Sequence, residues 1–339
     1  MSTFDTNALP FLNPRTERRV ALITGGNSGV GFYTVLHLYL HGYIIYIAGR
    51  SRSQCLKSIK ELKKKAKEII QEYDVDASSI RHLGDLFFLE VDLSSLSSVI
   101  RAVEYFKSIE DHLHLLINNA GAMALPFALT KDNFEIQLQT NYVSPFLLTT
   151  KLLPILEKTT DKFPTSPPPR VIYVSSIGHQ FAIRYFRLSQ AFNYKPNFIF
   201  TWLRYGMAKT AGIHFMKMLA LRNPKVLSMT VHPGFVMNAN IFAYWTRLPI
   251  VGILFWCVFE IVGYFFGVSS QEGAEAVTKC SLDPSFTVEK HNGKYFGADG
   301  QEATPSRIAN DMDYAARTWI WTIHQLNERG IRIPNNNDF

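Results

Sequence analysis

Tyr205 and Lys209 lie four residues apart in the run Tyr205-Gly206-Met207-Ala208-Lys209. On a helix that spacing stacks the two side chains on one face, one turn apart, so a phenol and an ammonium share one small space. A cation beside a phenol favours the phenolate, and draws a proton ordinarily released near pH ~10 closer to neutrality. The pair is an acid with its tuner. Chance also puts Tyr and Lys at this spacing on many helices, so the assignment depends on what the rest of the chain brings to them.

The elements that must position the pair follow from apolar runs alternating with helical periodicity. Residues 19–24 form a short apolar run typical of a buried parallel strand, followed at once by Gly25-Gly26-Asn27-Ser28-Gly29-Val30-Gly31 and a periodic segment over 32–41. Glycines at 25, 29 and 31 allow a tight turn, close approach of backbone to a diphosphate and close packing of the next helix, whose N-terminus attracts the anion. The loop sits where a dinucleotide site requires it, after a strand and before a helix.

A second strand over 43–48 runs into Gly49-Arg50-Ser51-Arg52. An acidic residue at this strand end grips the ribose 2′-hydroxyl of NAD, whereas Arg accommodates the 2′-phosphate of NADP. Gly49 takes the acidic position, and Arg50 is the candidate for the phosphate unless it is an ordinary surface arginine. A long helix is expected over 53–73 and a third strand over 86–91. Asp92 then falls either at the ligand edge of the sheet or at the N-cap of a helix from Ser95 onward.

A fourth strand over 114–117 ends in Asn118-Asn119-Ala120-Gly121, amides and small residues suited to bracing backbone beside a cofactor or to making a turn. A helix over 134–153, ending or kinking at Pro154, carries Asn141. An Asn inside a helix is either a satisfied core amide or part of a polar relay. After the stiff proline-rich connector 164–169, a fifth strand over 171–174 ends at Ser175-Ser176, hydroxyls that cap the next segment or orient a carbonyl. The helix bearing Tyr205 is expected to start near Leu203. A sixth strand over 226–231 leads to His232-Pro233-Gly234, where His232 reads as structural because no carboxylate partner is evident. Helices over 271–282 and 312–328, with Trp319 and Trp321 packing, flank a last strand at 294–296. This alternation predicts an α/β fold, one doubly wound parallel sheet with helices on both faces, and a single domain over 1–339.

Two stretches interrupt the pattern. Residues 177–204 are rich in aromatics, either buried packing or the wall of an apolar pocket. Residues 248–268 are nearly all apolar, with Glu260 the one charge, and are long enough to cross a bilayer core. A single crossing would divide a sheet that needs residues 294–296, so an embedded hairpin or in-plane helix bending at Gly252 and Gly263 is preferred over a buried helix covering the pocket.

Composition narrows the rest. At 47% hydrophobic and 19% charged, the 339 residues can bury a sizeable core. The formal charge of +7 sits largely in the lysine run 57–67, read as a solvated helix face with an acidic membrane surface as the alternative, and not as a nucleic-acid site. Cys55, Cys257 and Cys280 have no metal-ligand spacing, so no metal is expected, and their odd number fits a reducing compartment. Residues 1–19 lack the apolar core of a signal peptide.

The ordered set Thr24-Gly25 with Gly29 and Gly31, Asp92, Asn118-Asn119-Ala120-Gly121, Asn141, Ser176, Tyr205 with Lys209, and Pro233-Gly234 resembles the short-chain dehydrogenase/reductase family. The insert between Ser176 and Tyr205 resembles its retinol dehydrogenase branch, and the whole chain, including the apolar segment, resembles a lipid-droplet oxidoreductase of that branch. The resemblance implies that Ser176 hydrogen-bonds the substrate oxygen and that Tyr205 gives or takes the proton. It further implies that Lys209 holds the nicotinamide ribose and lowers the Tyr205 pKa, and that Asn141 holds a water in the relay. For the cofactor it implies Gly25, Asn27, Ser28, Gly29, Val30, Gly31, Arg50, Asp92, Asn119, Ala120, Gly121, Pro233 and Gly234, with Tyr205 and Lys209. Ser28 stands where many NADP-preferring relatives carry a basic residue, so the case for NADP(H) rests on Arg50. The expectation is an NADP(H)-dependent oxidoreductase interconverting carbonyl and alcohol on a lipophilic small molecule at a lipid-droplet or endoplasmic reticulum membrane, on its cytosolic face. A homodimer is left open. The alternatives are a 3-ketosteroid reductase and, in another class, a cofactor-binding scaffold or sensor at a lipid surface without turnover.

Overall fold

The computed structural model describes residues 5–72, 81–182, 188, 196–236 and 267–333. Residues 183–187 and 189–195 of the aromatic insert, all but the last two residues of the apolar stretch 248–268, and Cys257 lie outside the described residues.

In chain order the principal elements are β1 (Val20–Thr24), α1 (Gly29–Leu40), β2 (Ile44–Gly49), α2 (Arg52–Gln71), β3 (Asp85–Glu90), α3 (Leu96–Ile109) and β4 (Leu115–Asn118). Next comes α4, built of Ile136–Leu138, a π-helical stretch Gln139–Val143 and Ser144–Lys162. Then follow β5 (Arg170–Val174), α5 (Asn197–Arg222), β6 (Leu227–Val231), α6 (Ser270–Leu282), β7 (Tyr295–Phe296), β8 (Glu302–Ala303) and α7 (Met312–Glu328). The sheet order is β3-β2-β1-β4-β5-β6-β7-β8, parallel throughout except for the β7–β8 pair. The chain starts at the middle, winds outward one way through β2 and β3, and returns through β4 to β8. The reversal falls between β1 and β4, and a ligand crevice opens beyond the strand C-termini at such a switch point.

Helices on both faces explain why β1, β4, β5 and β6 read as continuous apolar runs: both faces of each strand are buried. On one face Ile23, Ile45 and Ile117 pack with Val35 of α1, Leu62 of α2 and Val277 of α6. On the other, Leu22, Leu116 and Val171 pack with Phe106 of α3, Phe146 of α4, Phe215 of α5 and Trp319 of α7. Trp319 meets the Phe146 ring at 5.0 Å, so α7 closes over α4 and α5.

Two boundaries differ from the sequence expectation. The helix carrying Asn141 runs through Pro154 to Lys162. An interior proline costs roughly 3 kcal/mol, but Leu152, Ile155, Leu156 and Thr159 around it are buried, and burying three such aliphatic side chains at about 1.5–3 kcal/mol each outweighs that cost. Helix α5 starts at Asn197, six residues before Leu203, with Thr201 wholly buried and bonded through its hydroxyl to the Leu125 carbonyl at 2.6 Å. A tertiary contact, invisible to periodicity, extends the helix.

Candidate active site

A cleft of about 1830 Å³ opens along the C-terminal ends of the strands, from Arg50 and Lys57 at one end to Phe181 and Trp202 at the other. Its glycine loop is held from behind. Gly25 and Gly29 take left-handed backbone conformations, φ +67° and +57°, and a Cβ on Gly31 would lie 2.3 Å from the Gly25 carbonyl oxygen. The Thr24 hydroxyl accepts the backbone N–H groups of Asn119 at 3.1 Å and Ala120 at 3.0 Å. In return the Asn119 amide donates to the carbonyls of Thr24 and Gly25 at 2.9 and 3.2 Å. The Asn27 carbonyl accepts the Ser58 hydroxyl at 2.8 Å, which ties the loop to α2. Asn27, Ser28, Gly29, Val30, Ala120, Gly121, Asp92, Pro233 and Gly234 all line the cleft with them.

The two amides before Ala120 divide their work. Asn118 turns into the core and donates to the Thr149 hydroxyl at 2.9 Å, and only Asn119 braces the loop. Asp92 is not the helix cap: Ser95 is, accepting from the Ser98 N–H, while Asp92 accepts the N–H and hydroxyl of Ser94. Arg50 is exposed on the cleft, where Ser51 caps α2. The start of a twenty-residue helix, with Arg50 and Lys57 beside it, suits a phosphate monoester.

Ser176, Tyr205 and Lys209 meet at the opposite side of the same cleft. Ser176 follows β5 and caps the 3₁₀ turn Ile177–Phe181, its hydroxyl accepting the Gly178 N–H at 3.1 Å. A Cβ on Gly178 would stand 2.5 Å from Tyr205 Cε1, so that turn rests directly on the phenol ring. The Lys209 ammonium lies 5.8 Å from the Tyr205 ring centroid and donates to the Val174 carbonyl at 2.9 Å. Burial pushes the Tyr205 phenol up to about 12, against a lowering hydrogen bond with Ser176, and pushes the Lys209 ammonium down to about 8. This departs from the expectation of a phenol tuned toward neutrality. Desolvation disfavours both charged forms and, in this protein, dominates the phenol.

Asn141 lies in the π-helical stretch of α4. Its amide is satisfied by one residue, donating to the Ala122 carbonyl at 2.8 Å and accepting the Ala122 N–H at 2.7 Å. Its backbone carbonyl accepts the Tyr173 hydroxyl at 2.7 Å. His232 donates its backbone N–H to the Phe296 carbonyl at 2.9 Å and does not line the cleft. Burial pushes its imidazole down to about 4, in keeping with a structural residue.

The remaining wall is apolar. Ile177, Phe181 and Ile199 expose 43%, 44% and 55% of their surface at the cleft, beside Trp202, Leu203 and Phe235. Val236 pairs with Val268, and the Val268 N–H donates to the Phe235 carbonyl at 3.0 Å. Val268 therefore lies beside Phe235 and Val236 of the cleft wall. Among the described residues no helix is long and apolar enough to cross a membrane.

The family model for short chain dehydrogenases matches residues 77–183. The short-chain dehydrogenase/reductase drtF of Aspergillus calidoustus is 33% identical over 332 residues, covering 95% of this chain and 98% of its own. The chain belongs to the short-chain dehydrogenase/reductase family. Mouse retinol dehydrogenase 11 is 30% identical over 309 residues, covering 91% of this chain and 86% of its own. The NADPH-bound carbonyl reductase from chicken fatty liver shares the fold at a TM-score of 0.56 with 20% identity, covering 85% of this chain and 99% of that one.

Around the family's set of residues, this short-chain dehydrogenase/reductase adds three that sequence reasoning passed over. Tyr173 and His179 act through backbone groups of Asn141 and Ser176, as Thr24 of the glycine-loop motif does through Asn119, contacts that no spacing announces. Lys57 belongs to the run read as a solvated face. Its place one and a half turns after Ser51, at the start of α2, was the available signal.

Proposed function

We propose that this protein is an NADP(H)-dependent oxidoreductase that interconverts a carbonyl and an alcohol on a lipophilic small molecule at a lipid surface. The observation that carries the reading is the convergence of Ser176, Tyr205 and Lys209 on a cleft whose other walls are a phosphate-suited glycine loop and exposed apolar side chains. The close approach of Gly31 to Gly25, which a Cβ would block, fits a backbone cradle for a diphosphate. NADP(H) would be held by residues 25–31, Arg50, Asn119, Gly121 and Lys209. When bound, it supplies or accepts the hydride.

The chain's own residues do the rest. The Ser176 hydroxyl accepts the Gly178 N–H and is hydrogen-bonded to the Tyr205 phenol, a bond that a substrate oxygen would replace or share. Tyr205, a phenol that burial holds further in its protonated form, gives its proton to that oxygen as negative charge develops there. In the oxidative direction the Tyr205 phenolate takes the proton from the substrate hydroxyl. Lys209, charged near neutrality, stabilises the phenolate left behind. The apolar wall excludes water and favours a hydrocarbon body on the substrate. The fungal and mouse relatives and the NADPH-bound carbonyl reductase support the assignment. The apolar composition of 248–268, whose last residue pairs with Val236 of the cleft wall, supports the lipid surface.

The test follows NADPH loss with a panel of all-trans-retinal, decanal and a 3-ketosteroid. Tyr205→Phe is expected to abolish turnover on every one while binding NADPH as the native chain does. Turnover at the native rate in that variant would refute the reading. Removal of residues 248–268 from a chain that still folds should release it from lipid-droplet and microsomal fractions.

A further inference from the structure

Tyr173 is wholly buried beneath the catalytic pair, and nothing in the sequence singled it out. Its hydroxyl donates to the Asn141 carbonyl at 2.7 Å. Its ring lies 5.3 Å from the Lys209 ammonium, and the carbonyl of the next residue, Val174, accepts that ammonium at 2.9 Å. One residue of β5 thus touches both the lysine and the helix that carries Asn141.

The space for this side chain is cut into α5. A Cβ on Gly212 would lie 2.0 Å from Tyr173 Cζ and 2.3 Å from its hydroxyl oxygen. Glycine in a helix interior is destabilising relative to alanine, so close packing of the phenol is the physical reason for it there. Opposite, the π-helical stretch of α4 displaces backbone carbonyls from the ordinary ladder, and the Ser144 N–H reaches back to Gln139. A buried carbonyl needs a donor. At Asn141 that donor is a side chain from another element.

We propose that Tyr173 is a positioning residue for proton transfer at Tyr205: its hydroxyl orients the Asn141 carbonyl while its ring supports the charge of Lys209. The inference rests on the oxidoreductase reading. A carbonyl oxygen accepts two hydrogen bonds, so the Tyr173 bond fixes the direction of the remaining lone pair, the one available to a water passing protons to Lys209. The ring face supplies a cation–π contact in a site where burial disfavours the ammonium. The phenol itself need not ionise.

Tyr173→Phe keeps the ring and its volume and removes one oxygen, so it separates the hydrogen bond from packing. With NADPH and whichever of retinal, decanal or the 3-ketosteroid the native chain reduces fastest, kcat should fall about three- to tenfold, the range of one net hydrogen bond. The KM for substrate and the dissociation constant for NADPH should stay within twofold, and the solvent deuterium isotope effect on kcat should rise. Without any substrate, amide exchange over residues 139–143 should quicken while the rest of the sheet is unchanged. Tyr173→Leu, which also removes the ring, should move the alkaline fall of kcat to lower pH. Native kcat and isotope effect in Tyr173→Phe would overturn the proposal, whether or not its melting temperature or exchange changes. Failure of the underlying reading looks different: Tyr205→Phe itself would then turn over.

Discussion

The imidazole of His179 donates from Nδ1 to the carbonyl oxygen of Ser176 at 2.7 Å. Its tautomer is set by the other nitrogen, since Nε2 accepts the Ser306 N–H at 3.0 Å. The His179 carbonyl in turn accepts the Thr210 hydroxyl at 3.2 Å, one residue past Lys209. The serine turn, the tyrosine helix and the C-terminal segment therefore share one buried histidine.

His179→Leu should free the Ser176 turn and lower kcat roughly ten- to a hundredfold, the scale on which small displacements of a reacting group act. NADPH affinity should hardly change. His179→Asn, whose amide can still donate to the Ser176 carbonyl, should recover part of the loss. Equal loss in both variants would point to general destabilisation, which thermal melts of the two proteins check.

At the far end of the cleft, Arg50→Ala should weaken NADPH at least tenfold and leave NADH nearly untouched. A charge-assisted bond to phosphate is worth about 1.5–3 kcal/mol, and only NADPH carries the 2′-phosphate. Fluorescence titration of both cofactors decides it. Parallel weakening of the two would remove Arg50 from the phosphate site.

The rate of carbonyl reduction should be flat near neutrality and fall as pH rises through about 8. Lys209 is depressed from its ordinary value by burial, so it is charged below that pH and neutral above it. Tyr205, raised to about 12, stays protonated across the window and does not set the profile. A kcat profile from pH 6 to 10 is the measurement. No decline by pH 9.5 would contradict the assignment of the lysine.

Acid should unfold the protein early. Burial pushes His37, His41, His214 and His232 down to about 4 and His114 to about 3. Each folded value lies below the unfolded one of about 6.5, so the unfolded chain binds the extra protons. Their contribution is complete above pH ~6.5 and is lost as pH falls toward 4, at up to about 1.4 kcal/mol per group per pH unit. Denaturant melts at pH 7.5, 6 and 5 should show stability falling progressively. A constant midpoint would mean these imidazoles are not desolvated.

The order of strands and helices, the glycine loop and the meeting of Ser176, Tyr205 and Lys209 on one cleft were legible in the sequence, and Asn141 settled on the core-amide side of its two readings. Burial on both faces writes a parallel strand as an unbroken apolar run, and backbone demands fix glycines at set distances from a strand end. Spacing therefore carried them. The ionisation of Tyr205 was not legible, because a pKa depends on how much water the fold removes, and four-residue spacing says only that Lys209 is near. The partners Tyr173 and His179, and the hold of Thr24 on Asn119, were hidden for a related reason. Each acts on a backbone atom of a residue distant in sequence, and backbone atoms are the same at every position. Pro154 shows the converse: its local rule was readable and was overruled by the buried side chains on either side of it. Sequence determined which groups the site contains. Tertiary structure decided their protonation, their orientation and the company they keep, since those are properties of distance and desolvation.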